Sequence, residues 1–154
     1  MAWEFSVLVV ANVTAESAEL LAALRERSDS GACHFTLVMP AAGADRHERL
    51  EAALAHMCDA GLDNVEGSVG DPDPVVAVMD LWDPMKFDDI VVSTLPTGSS
   101  RWMGLDLPHR LEKLTSVPVR HVVSHPRREV HTEPVPEKPR YGVLAAFAAL
   151  ITKR

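Results

Sequence analysis

Cysteine is scarce in this chain: Cys33 and Cys58 are the only two in 154 residues, and they lie in separate apolar segments. With no Cys-x2-Cys pair, a metal site is not expected, and both thiols read as buried and reduced. Positive charge is also in deficit, with 15 Lys and Arg against 22 Asp and Glu, a formal net charge of −7. The cations are scattered, and no basic stripe appears before the last thirty residues, which speaks against a nucleic-acid partner. No apolar run reaches the ~18 residues of a membrane span. Met1-Ala2-Trp3-Glu4 lacks the basic stretch and apolar core of a secretory leader, so the expected address is the cytoplasm. Catalytic signatures are missing as well: there is no Gly-x-Ser-x-Gly elbow, no Walker loop and no Gly-x-Gly-x-x-Gly. No nucleophile has a credible base, and the chain is not expected to be an enzyme.

What is present is the composition of one globular domain, 47% hydrophobic and 24% charged. Ser6–Ala11 (SVLVVA) is an apolar, β-branched run without alternation, as in a strand buried on both faces. Thr14 is placed to cap a following helix whose stripe is Leu20, Leu21 and Leu24, and Gly31 closes that unit. His34–Met39 is a second strand, stopped by Pro40. From Arg46 the spacing of Leu50, Leu54 and Met57 predicts a helix ending at Gly61. Asn64–Val69 is a weaker third strand. In the following Gly70-Asp71-Pro72-Asp73-Pro74, Asp73 reads as a helix N-cap and Pro74 as the first helical residue, with Val75, Val78, Met79 and Trp82 as the buried stripe. Asp89–Ser93, a helix around Leu107–Thr115 and a strand over Val117–Val123 complete the domain. Strand–helix alternation of this kind implies a parallel sheet with right-handed crossovers.

Residues 1–125 thus form the α/β domain; 126–140 (PRREVHTEPVPEKPR) read as an extended linker, and 141–154 open with a small apolar helix. Leu144, Phe147 and Ile151 share one face of it, suited to docking on its own domain or on a partner chain.

In open parallel sheets ligands bind beyond the carboxyl ends of the strands, where helices leave for opposite faces. That rule selects Ala11–Thr14 after the first strand and Thr94–Ser100 after the fourth. In the second loop Gly98 permits positive φ, Ser99 and Ser100 bring hydroxyls and amides, and Arg101 follows as an anion partner. Read from spacing alone, PTGSS is also an ordinary turn.

The order of elements, VLVVANVTAES near the start, GDPDP before the third helix and STLPTGSSRWMGLDLPHRL after the fourth strand together resemble the universal stress protein family, over roughly residues 5 to 125. The resemblance implies a three-layer fold with a five-stranded parallel sheet in the order 3-2-1-4-5, a homodimer formed commonly through the fifth strand, and, as in some members, a bound ATP or other adenine nucleotide with magnesium. Carried over residue by residue, the family's acid at the end of the first strand falls on Asn12, and its hydroxyl-bearing helix start on Thr14. The backbone facing adenine falls near Leu37, Val38 and Met39, and the phosphate loop on Thr94, Gly98, Ser99, Ser100 and Arg101.

Two departures bear on that site. Pro96 stands near the family's first loop glycine, and the closing Gly-Ser pair falls on Leu105-Asp106. A carboxylate 4 Å from a phosphate, at an effective dielectric of ~20, is repelled by roughly 4 kcal/mol. Magnesium between Asp106 and a phosphate would offset this. Asp106 also has a structural reading, as the N-cap of the Leu107–Thr115 helix. Trp102 reads either as a clamp on a base or as cover for the sheet edge. Three functions remain open: a non-enzymatic dimer that holds an adenine nucleotide, the leading one; an interaction module of the same fold with a lapsed pocket, assembling through the fifth strand and the tail; and, least favoured, a hydrolase using a water positioned near Asn12 and Asp106.

Overall fold

The β-branched and apolar runs become strands because each has a helix-bearing layer on both sides. In the computed structural model, which describes residues 3–96, 101–104 and 106–125, β1 (Phe5–Val10) is followed by α1 (Ala18–Asp29), β2 (Cys33–Pro40), α2 (Arg46–Asp59) and β3 (Val65–Gly70). Then come α3 (Pro74–Leu81), β4 (Asp89–Thr94), the short α4 (Arg101–Gly104), α5 (Leu107–Thr115) and β5 (Val119–Val123). All pairings are parallel and the sheet order is β3-β2-β1-β4-β5. β1 is therefore central, with Val7 opposite Phe35 of β2 on one side and Asp89 of β4 on the other.

Alternate residues of β1 serve different cores. Val7 and Val9 pack with Leu20 and Leu24 of α1 and Leu50, Ala53 and Met57 of α2. Leu8 and Val10 face the other way, onto Ala77 and Val78 of α3 and Leu107 and Leu111 of α5. Each fully buried Val, Leu or Met side chain among them contributes about 1.5–3 kcal/mol relative to exposure. Because the cores lie on opposite faces, helices depart in opposite directions after β1 and β4, which opens a crevice between their carboxyl ends.

The third helix starts as expected: the Asp73 carboxylate accepts from the Val75 amide at 2.9 Å, with Pro74 in the first turn. Gly70 before it is required by proximity, since a Cβ there would stand 2.6 Å from the Cβ of Ala77.

Four local expectations are corrected. The cap of α1 is Ser17, whose Oγ accepts from the Leu20 amide at 3.1 Å, and not Thr14. Two turns, closed by Ala15 N–H to Asn12 and Ser17 N–H to Thr14, separate β1 from the helix and leave Thr14 buried. Met79 is exposed, and Pro74 and Ala77 join Val78 on the buried side of α3. Cys33 is buried but Cys58 is exposed, because it follows Met57 onto the outer face of α2. Asp106 precedes α5 but makes no side-chain capping bond; its backbone is left-handed (φ 50, ψ 48), a conformation in which Asp is among the better tolerated residues.

Residues 126–154, which hold the expected linker and apolar tail, lie outside the described residues. No helix among the described residues is long and apolar enough to cross a membrane.

Candidate functional site

The crevice between β1 and β4 holds a cavity of about 250 Å³ lined by Asn12, Val13, Thr14, Ser93, Thr94, Leu95, Arg101 and Trp102. Its two walls are the loops that follow β1 and β4. A second cavity, of about 380 Å³, lies on the α2 side of the same edge and is bordered by Asn12, Val13, Ala15, Glu16, Met39, Arg49, Ala52 and Ala53. Asn12 and Val13 belong to both and form the partition between them.

The hydroxyls at the base of the first cavity are already committed. Thr14 and Ser93 stand 2.8 Å apart through their hydroxyl oxygens, Ser93 and Ser124 also 2.8 Å, and Thr14 reaches the Ser93 carbonyl at 3.3 Å. All three side chains are almost fully buried. Each hydroxyl has one proton, so one arrangement satisfies every link: Ser124 donates to Ser93, Ser93 to Thr14, and Thr14 to the Ser93 carbonyl. Thr94 pairs with Nε2 of His121 at 2.6 Å, and burial holds the His121 imidazole below its ordinary pKa. These groups shape a floor and leave polar contact to the rim.

Arg101 is exposed at that rim, and Trp102 is half-buried, lining the cavity while packing on the α3–α5 core. The two readings of Trp102 are therefore compatible in one position.

Asn12 is fixed from both ends. Its Nδ2 donates to the Pro40 carbonyl at 2.8 Å, tying the end of β1 to that of β2, and its Oδ1 accepts from the Arg49 guanidinium.

Of the residues expected from the sequence, Asn12, Thr14, Thr94 and Arg101 come together around the first cavity, and Met39 borders the second. Leu37 and Val38 are fully buried and line neither cavity; the Val38 carbonyl accepts from the Ala11 amide. Asp106 is exposed and outside both linings. Gly98, Ser99 and Ser100 lie outside the described residues. Arg49 escaped the sequence reading because a cation on the charged side of a helix ordinarily marks a solvated face. The only available signal was its place one turn into the helix after β2.

The titratable groups at the opposite edge do not join the site. Arg27 at the end of α1 pairs with Asp89 at the start of β4 at 2.8 Å and lies over the Phe5 ring. Burial raises the Asp89 carboxyl above its ordinary value, outweighing the guanidinium that lowers it. His34 hydrogen bonds Asn64 at 2.8 Å and meets Glu66 at 3.2 Å, and these two partners raise its pKa, that of Asn64 foremost.

No protein-family model and no curated protein matches the sequence. Solved structures do match. A universal stress protein in complex with cAMP aligns at a TM-score of 0.61 and 20% identity, over 81% of this chain and all of the other. The universal stress protein from Archaeoglobus fulgidus in complex with dAMP aligns at 0.54 and 17% identity, over 79% of this chain and 99% of that one. At such identities the likeness speaks for architecture, and it agrees with the strand order and the parallel pairing found here. This chain has the universal stress protein fold.

Proposed function

We propose that this protein holds an adenine nucleotide in the crevice between β1 and β4, without chemical turnover, as a homodimer in the cytoplasm. The observation that carries the reading is the cavity lined by Asn12, Val13, Thr14, Ser93, Thr94, Leu95, Arg101 and Trp102 at the carboxyl edge. Two proteins of this fold were solved with cAMP and with dAMP. Arg101 supplies the cation for a phosphate and Trp102 an aromatic surface for a base. With ATP, magnesium would neutralise part of the phosphate charge. The dimer would form through β5, which among the described residues pairs only with β4 and ends the sheet.

Calorimetric titration with AMP, cAMP and ATP plus magnesium tests this. Saturable heat with at least one nucleotide is expected, and no heat at millimolar ligand would overturn it. Incubation with ATP is expected to yield no ADP or AMP above the blank.

One observation favours the alternative, an interaction module with a lapsed pocket: the Thr14, Ser93 and Thr94 hydroxyls are all engaged within the protein. That reading predicts that deleting residues 126–154 changes the solution mass or partner binding. Nucleotide binding with unchanged assembly would count against it.

A further inference from the structure

We infer that Arg49 reads an anion on the α2 side of Asn12, and that the preferred ligand is an adenine nucleotide with a second phosphate on its sugar. The inference rests on the nucleotide reading above and specifies its ligand class. Asn12 and Val13 line both cavities, and among the described residues each has one guanidinium: Arg101 beyond β4 and Arg49 beyond β2. β2 and β4 flank β1, so their ends stand about 10 Å apart at ~4.8 Å per strand. A ligand seated over the partition can therefore present one anionic group to each side.

The chemistry of residue 12 decides whether Arg49 is available. A carboxylate there would turn the contact into an ion pair and cancel the charge locally. An amide orients the guanidinium through one donated bond and leaves the charge uncompensated. Among the described residues Arg49 takes part in no ion pair, and its other nitrogens make no further hydrogen bond. Glu16 borders the same cavity without reaching ion-pair distance of Arg49, and as an acceptor it suits a sugar hydroxyl or an amino group. The walls between them, Val13, Ala15, Met39, Ala52 and Ala53, are apolar. A half-buried arginine fork facing an apolar wall favours a planar, bidentate phosphate contact.

The test compares adenosine 3′,5′-bisphosphate with ADP, which has the same number of phosphates on one side of the sugar, and with AMP, using the full chain. The bisphosphate is expected to bind about tenfold more tightly than ADP. Arg49→Gln should remove that advantage and leave AMP affinity within about twofold, while Arg49→Lys should restore part of it. Asn12→Asp, which neutralises Arg49 in place, should weaken the bisphosphate more than AMP. Circular dichroism and thermal unfolding of each variant confirm the fold. If AMP binds but the bisphosphate has no advantage over ADP, or keeps its advantage in Arg49→Gln, the inference fails and the nucleotide reading stands. If none of the three nucleotides binds, the nucleotide reading itself fails.

Discussion

Ser93, on β4, and Thr14, after β1, are 79 residues apart in sequence and joined by a 2.8 Å hydrogen bond between their buried hydroxyls. This bond fastens the two loops that border the crevice, and Ser124 extends it past the end of β5. A parallel sheet gives these strands neighbouring ends; the hydroxyl chain fixes how far apart the loops after them can stand.

Replacing Ser93 with alanine leaves the Ser124 hydroxyl buried without its acceptor. The expected cost is about 1–3 kcal/mol, measured by urea unfolding. Ser93→Ala combined with Ser124→Ala should cost less than the sum of the single changes, because both ends of that bond are then removed. Additive costs would show that the hydroxyls act independently.

Gly70→Ala should destabilise by about 1–3 kcal/mol, since its Cβ would press into Ala77 at 2.6 Å and Val38 at 3.1 Å and push α3 off the sheet. Gly31→Ala meets nothing within 4 Å and is the matched control, expected to fall within about 0.5 kcal/mol of the parent or above it. Equal losses at the two positions would contradict close packing as the reason for Gly70.

The two perturbed histidines act on stability with opposite signs. His34 has a raised pKa in the folded protein, so its contribution is present below the unfolded value of about 6.5 and is lost as pH rises through the folded one. His121 has a lowered pKa, so its contribution is present above about 6.5 and is lost as pH falls through the folded value. His34→Ala should therefore cost more at about pH 5 than at about pH 8, by less than ~1 kcal/mol for so open a cluster, and His121→Asn should flatten the acid limb of the stability curve. Chemical denaturation across that range checks both, and the same pH trend in the two variants would refute the assignment.

The parts of the fold legible in the sequence are those set by burial and by backbone chemistry. SVLVVA and HFTLVM are apolar over most of their length, His34 and Thr36 apart, and each became a strand buried over most of its residues. Asp73-Pro74 encodes its own cap, and Leu107–Thr115 has the expected bounds. Decisions between near-equivalent neighbours were not legible. Thr14 and Ser17 are both good caps, and only the two turns after Asn12 choose the serine. Asp106 has the right residue type for a cap, yet its left-handed backbone accompanies a carboxylate that makes no such bond. The place of the first cavity was legible through the sheet rule, which brought out Asn12 and Arg101 of its lining; the second cavity and the Arg49 contact depend on side-chain directions that spacing does not encode.

Nucleotide binding in the β1–β4 crevice can be followed residue by residue, by titrating isotope-labelled protein with AMP and recording amide NMR spectra. Saturable shifts are expected at Asn12, Val13, Ser93, Thr94 and Leu95, with the amino-edge residues His34, Asn64 and Asp89 unmoved. Shifts confined to the amino edge or to the outer face of α3, or no saturable shift at millimolar AMP, would contradict it.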